Sequence, residues 1–229
     1  MNNLPSQNDK NSIKEMFENI SPNYDFLNGC MTLFTHRLIR KSALSLAQNT
    51  PEKILDICTG TGDTAILTAK KFPNSQITAI DFSPSMLNLA KKKAEKYPNI
   101  TFIQADATNL PFENATFDLC TISFGLRNLP DIQSALKEFF RVLKPNGQLI
   151  ILDTGKPSKF ITFFIDLIVP ILGKIFHGKK IPYKYLAQSI KTYPTSSKII
   201  NILEEIGYIS PRCKDYNLGI FSAQTAFKP

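Results

Sequence analysis

Histidine and cysteine, the side chains that most often build metal centres, are scarce in this 229-residue chain, which has two of the first and four of the second. Cys30, Cys58, Cys120 and Cys213 lie far apart, and no His, Cys and carboxylate residues fall at ligand spacing, so no metal is expected. A disulfide framework is not expected either. Cys58 and Cys120 fall in apolar strand contexts, where a free thiol packs as a small core side chain, and a reducing compartment fits best. Long apolar runs are also missing. Residues 160–176 come nearest, but Asp166, Pro170 and Gly173 interrupt them. A spanning helix needs roughly 18 unbroken apolar residues. Residues 1–11 are polar and carry no signal-peptide core, so a cytoplasmic location is expected. There is no basic stripe interleaved with aromatics and no Asn-Pro-Pro-Tyr-like motif, which argues against a nucleic-acid partner.

What remains is the composition of a globular protein, 43% hydrophobic and 20% charged, of a length that suits one α/β domain with a sizeable core. The net charge of +8 favours anionic surfaces or ligands. The basic residues are spread out, with loose clusters at Lys91-Lys92-Lys93, which reads first as a solvated helix face, and between Lys174 and Lys184.

The chain is organised around Lys53-Ile54-Leu55-Asp56-Ile57-Cys58-Thr59-Gly60-Thr61-Gly62-Asp63: an apolar strand, a glycine turn, then helix formers. A second strand, 76–80, closes in Asp81, about 20 residues past the turn, where a carboxylate usually receives two ribose hydroxyls. The other role open to Asp81 is a helix N-cap, which Ser83 before Pro84 fills better. A helix over 84–97 leads to a third strand, 100–104, followed by Asp106. Strands alternating with helices predict a doubly wound parallel sheet, whose ligands bind at the carboxyl ends of the strands. Gly60-Thr61-Gly62-Asp63-Thr64-Ala65 satisfies a loose G-x-G-x-x-A dinucleotide pattern, but that pattern seats a pyrophosphate on a helix N-terminus. Here Asp56, Asp63 and Asp106 surround the turn. S-adenosylmethionine, a sulfonium nucleoside without phosphates, is the better electrostatic match.

Before this core, Ile13, Met16, Phe17 and Ile20 recur at helical spacing, and a helix is expected over 36–47. Between them, Tyr24, Asn28 and His36 alternate with aromatics, as in a lid over a small-molecule site or a helical cap that satisfies backbone groups. Beyond the core, a fourth strand, 117–123, leads into Phe124-Gly125-Leu126-Arg127-Asn128, on a loop where α/β enzymes place substrate groups. Arg127 has a second reading as the partner of a local acid such as Asp131, and Asn128 as a helix cap. A helix over 131–143, a turn at 144–147 and a fifth strand, 148–152, ending at Asp153 follow. Helices near 183–191 and 196–206 then precede two terminal strands, 208–216 and 220–227.

These residues resemble the ubiquinone/menaquinone biosynthesis C-methyltransferase family (demethylmenaquinone methyltransferase). The likeness runs through Tyr24-Asp25-x-Leu27-Asn28 with Thr32, His36 and Arg40, and through Leu55-Asp56-x-Cys58-x-Gly60-Thr61-x-Asp63. It continues in Ser123-Phe124-Gly125-Leu126-Arg127-Asn128, Arg141-Val142-Leu143-Lys144-Pro145-x-Gly147, and Tyr185-Leu186-x-x-Ser189-Ile190 with Pro194. Leu27, Thr32, Ile39, Asn146 and the run Asp153-Thr154-Gly155 depart from the family's pattern. The resemblance implies a seven-stranded Rossmann-like sheet of the class I S-adenosylmethionine-dependent methyltransferase type. It also implies one domain: a helical lid (1–50), a cofactor core (51–155), a helical insertion facing substrate or membrane (156–206) and a closing hairpin (207–229). S-adenosylmethionine would meet Asp56 at its ammonium and Gly60, Thr61 and Gly62 along the methionine part. Asp81 would take the ribose, Asp106 and Ala107 the adenine, and Ser123 the inner edge.

The implied reaction is C-methylation of a polyprenyl hydroquinol, demethylmenaquinol to menaquinol, in menaquinone or ubiquinone biosynthesis. Tyr24, Asn28, Phe124 and Tyr185 would bind the acceptor, Arg127 with Asn128 would stabilise its phenolate, and His36 is the candidate base, with a purely structural role as its alternative. Residues 160–172, greasy and flanked by Lys156, Lys159, Lys174, His177, Lys179 and Lys180, suit peripheral contact with the inner face of the membrane. A buried core helix or a homodimer contact suits them as well. The rival functions are methylation of another lipid or small phenolic acceptor, and non-catalytic cofactor binding.

Overall fold

The computed structural model describes residues 10–21, 29, 35–155 and 181–229. Its strands are β1 (Lys53–Ile57), β2 (Gln76–Asp81), β3 (Ile100–Gln104), β4 (Phe117–Ser123), β5 (Leu143–Thr154), β6 (Ile209–Tyr216) and β7 (Phe221–Phe227). They form one sheet in the order β3-β2-β1-β4-β5-β7-β6. β1 to β5 pair in parallel, while β7 runs antiparallel between β5 and β6. The described helices are α1 (Lys10–Ile20), α2 (His36–Leu44), α3 (Asp63–Lys71), α4 (Pro84–Lys93), α5 (Ile132–Val142), α6 (Ile181–Thr192) and α7 (Ser196–Ile206). None of them is long and apolar enough to cross a membrane.

The central strands read as continuous apolar runs because helices cover both faces of the sheet. Neighbouring residues of a strand point to opposite faces. Leu55 and Ile57 therefore join Cys120, Ile122, Leu136, Phe139 and Leu203 in one core cluster. Ile54 joins Ala65, Ala69, Ile77 and Leu119 in the other. Strand order reverses between β1 and β4, both of which leave from the middle of the sheet, and a crevice opens at their carboxyl ends.

Three boundaries differ by three residues or more from those expected. β5 starts at Leu143 rather than 148, because Leu143 is fully buried and pairs with Phe117, and a register shift between Phe117 and Leu119 absorbs the turn-like residues. The chain's end secures that stretch: Asn146 N–H donates to the Lys228 carbonyl at 2.9 Å, and Lys228 N–H to that of Gly147 at 2.9 Å. α4 ends at Lys93, and Tyr97 closes a turn onto Ala94 ahead of Pro98, which disfavours helix in the residue before it. α2 stops at Leu44, short of 47.

Two glycines are demanded by close approach. Gly62, the N-cap of α3, has φ +86°, and a Cβ there would lie 3.0 Å from that of Ala90 on α4. A Cβ on Gly125 would lie 2.5 Å from that of Cys58, so the loops after β1 and β4 touch through this residue. Overpacking of this kind costs about 1–3 kcal/mol. Gly125→Ala should therefore lower the urea midpoint. Cys58→Gly, which deletes the opposing Cβ and suits the φ of +53° at that position, should restore most of the loss. A Gly125→Ala variant as stable as the parent would contradict this packing.

Candidate active site

The carboxyl ends of β1, β2 and β4 and the loop after β3 surround an open cavity of about 120 Å³. Gly60, Asp81, Asp106, Ala107 and Ser123 stand on its wall, as do Phe124 and Asn128. α1 contributes Ile13 and Phe17, a helical i, i+4 pair. Among the described lining residues there are two carboxylates and no basic side chain.

Asp81 ties two elements together. One oxygen accepts the Gly60 N–H at 2.8 Å and the other the Ser83 N–H at 2.9 Å. Burial raises its pKa, and the backbone donors at Ser83, Gly60 and Phe82 hold it down in part. Ser83 is the N-cap of α4, its hydroxyl accepting from Met86 N at 3.3 Å, so the capping role open to Asp81 goes to Ser83. Asp106 accepts from the Thr108 N–H at 2.8 Å and hydroxyl at 2.7 Å, which shapes the loop after β3.

Asp56 stands apart from these rim acids. It is fully buried beneath the glycine turn, accepting from the Thr59 hydroxyl at 2.6 Å and the Thr121 hydroxyl at 2.8 Å. Thr61 and Gly62 are also off the wall. Thr61 accepts from Lys93 Nζ at 3.1 Å, and Gly62 begins α3. Of the eight cofactor residues expected from sequence, the cavity thus gathers five and the other three lie behind it.

The acceptor side shows a similar split. The Asn128 amide donates to the Phe124 carbonyl at 3.3 Å, and its oxygen accepts from the buried Tyr185 hydroxyl at 3.4 Å. Arg127 is not on the wall. Its Nη1 donates to Asp153 Oδ1 at 2.5 Å and its N–H to Oδ2 at 3.2 Å, and Asp153 is completely buried. Asp131 instead caps α5, accepting from Ser134 N at 3.0 Å. Phe124 sits at φ +60°, a left-handed backbone conformation rare for an aromatic residue. The Arg40 and Arg127 guanidiniums lie 4.9 and 5.8 Å from its ring centre.

His36 is buried on α2, with Nε2 4.0 Å from Asp63 Oδ2, off the cavity wall. Arg40 and Lys93 reach the same carboxylate at 3.8 and 2.6 Å. Tyr24 and Asn28 lie outside the described residues. Sequence reasoning missed Cys58, whose thiol burial and neighbouring carboxylates keep neutral. It also left Asp153 out of the site, although that residue follows the same pattern of an acid at a strand end. No group of three or more His, Cys, Asp or Glu residues gathers around a metal position among the described residues.

Burial lifts the Asp56 carboxyl to about 6, against the two threonine bonds and Arg40, while Asp81 adds to the rise. The folded chain therefore binds this proton more tightly than the unfolded one. Asp56 then costs stability increasingly as pH rises from about 4 to about 6, and by a constant amount above. Asp56→Asn should be more stable than the parent at neutral pH by ~1–3 kcal/mol, with the gain vanishing near pH ~4. Urea unfolding across this range checks it, and a gain independent of pH would contradict it.

A wall with two carboxylates beside Gly60 repels a pyrophosphate and suits a cationic nucleoside without phosphates. The comparisons agree with this chemistry. The model of the ubiE/COQ5 methyltransferase family matches residues 5–228. A demethylmenaquinone methyltransferase of Staphylococcus aureus is 36% identical over 226 residues, covering 96% of this chain and 94% of that protein. Among solved structures, a S-adenosylmethionine-dependent methyltransferase of Thermotoga maritima, a possible histamine N-methyltransferase, is 18% identical with a TM-score of 0.68 and covers 94% of this chain and 99% of its own. The phosphoethanolamine N-methyltransferase 2 of Haemonchus contortus, in complex with S-adenosyl-L-methionine, is 17% identical with a TM-score of 0.62 and covers 83% and 52%. These two show the same fold. The chain belongs to the ubiE/COQ5 methyltransferase family and is a S-adenosylmethionine-dependent methyltransferase.

Proposed function

We propose that this enzyme methylates a ring carbon of a polyprenyl hydroquinol, converting demethylmenaquinol to menaquinol. The observation that carries the reading is the likeness, over nearly the whole chain, to a demethylmenaquinone methyltransferase. The apolar cavity end formed by Phe124, Leu129 and Pro130, with the Asn128 amide beside it, supports an aromatic acceptor.

S-adenosylmethionine, when bound, supplies an electrophilic methyl group. Asp81 holds the ribose hydroxyls, Asp106 and Ala107 the adenine, Ser123 the inner edge, and Gly60 lets the ligand approach the turn. Asp56 acts from below, biasing the turn's potential towards the ammonium, while Thr61 and Gly62 shape the turn for the methionine part. A ring carbon becomes nucleophilic once its neighbouring hydroxyl loses a proton, and a phenol titrates near pH ~10. The chain must therefore stabilise the phenolate. That role falls to Arg127, with Asn128 and Tyr185 orienting the ring oxygen and Phe124 packing against the ring. Tyr24 and Asn28 complete the acceptor contacts on the lid side. His36, with Nε2 4.0 Å from Asp63 Oδ2, is the candidate base that takes the phenol proton, and holding α2 against the Asp63 cluster is its alternative role. The apolar segment 160–172 and its basic flanks seat the enzyme at a membrane surface where the isoprenoid tail resides.

Methyl transfer from labelled S-adenosylmethionine to a reduced demethylmenaquinol analogue in detergent tests the function, with the oxidised quinone as control. Label is expected in the quinol alone. Arg127→Ala should lower kcat by ~10²-fold or more with S-adenosylhomocysteine affinity unchanged. Near-full turnover in that variant would remove Arg127 from the mechanism, and a bound cofactor with no quinol labelled would turn the search to other phenolic acceptors.

A further inference from the structure

Exposed leucines scattered singly need no explanation. Among the described residues, however, the exposed large apolar side chains are Leu38, Ile209 and Leu218, and two of these three share one corner of the molecule. Leu218, in the connection between β6 and β7, is 90% exposed, and Leu38 on α2 is 70% exposed. Two hydrogen bonds seat that connection against the helix: Asn217 Nδ2 donates to Thr35 Oγ1 at 3.4 Å, and Ser42 Oγ to Tyr216 Oη at 3.3 Å. Thr35 and Ser42 lie two helical turns apart, so both face the hairpin, and Leu38 falls between them on the same side of α2. Asn217, Leu218 and Gly219 all take positive φ, at +48°, +56° and +83°. Asn and Gly adopt that conformation readily, but it is unfavourable for leucine, and a side chain this exposed gains no burial within the chain to offset it.

The charge around the two leucines has one sign. Arg37 and Lys41 flank Leu38 on the exposed face of α2, a helix without a carboxylate. On the hairpin, Arg212 pairs in register with Thr225, Lys214 with Ala223 and Tyr216 with Phe221. Phe221 and Ala223 pack with Ile39 and Ala43 of α2, so the exposed Arg212 and Lys214 lie on the same side of the sheet as that helix. The acid of this strand, Asp215, alternates to the opposite face together with Cys213, whose Sγ donates to it at 3.8 Å. Leucine beside Lys and Arg, with no acid between, is the composition of a surface that rests at a lipid interface.

This corner also adjoins the site. β7 runs antiparallel to β5, so the connection before it emerges at the carboxyl edge of the parallel strands, where the Gly155 N–H donates to the Ile220 carbonyl at 2.8 Å. Phe221, the first residue of β7, meets Phe124 edge to face with ring centres 5.6 Å apart, and Phe124 is on the cavity wall. We propose that the corner formed by α2 and the β6–β7 connection docks on an anionic phospholipid bilayer. Leu38 and Leu218 enter the acyl boundary, and Arg37, Lys41, Arg212 and Lys214 meet the phosphates. Docking there brings the Phe124 end of the cavity beside the bilayer. Its purpose, delivery of a polyprenyl acceptor, rests on the function proposed above, whereas the binding itself does not. The surface is distinct in sequence from residues 160–172.

Co-sedimentation of the full chain with acceptor-free vesicles tests the surface, comparing phosphatidylcholine alone with a mixture containing phosphatidylglycerol. The parent should bind the anionic vesicles, less tightly as salt is raised, and the neutral ones poorly. Leu38→Gln combined with Leu218→Asn should lower the partition coefficient by ~tenfold or more, and Arg37→Gln combined with Lys41→Gln by roughly tenfold. Asn suits the positive φ at position 218, so Leu218→Asn alone should leave the unfolding temperature unchanged or raised, which separates lost docking from lost folding. Methyl transfer to the acceptor in detergent should be undiminished in the leucine variant. A parent that does not bind anionic vesicles overturns the proposal, as does either pair of variants binding as the parent does. A parent dimer that the leucine changes dissociate also overturns it, because a second copy would then cover the corner. Docking lost in the variants of an enzyme that methylates no quinol would uphold the surface and remove its purpose. Quinol labelled in detergent, with docking unchanged in the variants, would uphold the function and overturn the surface.

Discussion

The bond from the Gly60 N–H to the Asp81 carboxylate is the constraint on which the rest of the site depends. It joins the turn after β1 to the end of β2 at 2.8 Å, and the other Asp81 oxygen holds the start of α4 through Ser83. One carboxylate thus sets the spacing of two loops and gives the cavity its sign. With Asp106 on the same wall and no basic side chain among the described lining residues, the crevice selects against phosphates although the glycine turn is shaped like one that binds them. Sign, more than shape, separates this site from a dinucleotide site on the same kind of sheet.

On the acceptor side the controlling contact is between Cys58 and Gly125. It brings the loop after β4 against the turn after β1, and in the process Phe124 takes a backbone conformation that aromatic residues seldom adopt. The next residues then divide their labour. Asn128 faces the cavity, and Arg127 turns back to a buried carboxylate on β5. The cationic group expected to act on the acceptor is therefore stored in a neutral pair. Pairing of this kind offsets the cost of burying a guanidinium.

Much of this was legible in the chain itself. Apolar runs closed by Asp81 and Asp106 marked strand ends at the rim, because a carboxylate at the end of a buried strand has few structural excuses. The same rule misplaced Asp56 among the rim acids. Its burial depends on Thr121, its register partner on β4, which is 65 residues away in the chain. The partner of Arg127 was likewise out of view: a local acid, Asp131, stood nearer in sequence, but it caps α5, and Asp153 arrives only through the parallel pairing of β4 with β5. The start of β5 was hidden by Lys144-Pro145-Asn146-Gly147, which reads as a turn until Leu143 is seen paired with Phe117. Local pattern thus located the rim, and cross-strand register decided which rim residues face the cavity.

The central claim is that Asp81 both organises the turn and receives the ribose, and calorimetric titration of S-adenosylhomocysteine into Asp81→Asn and Asp81→Ala tests it most directly. The account predicts at least a tenfold loss of affinity in Asp81→Ala and a smaller loss in Asp81→Asn, which keeps one acceptor oxygen, with both variants folded. Affinity within twofold of the parent in both would contradict it.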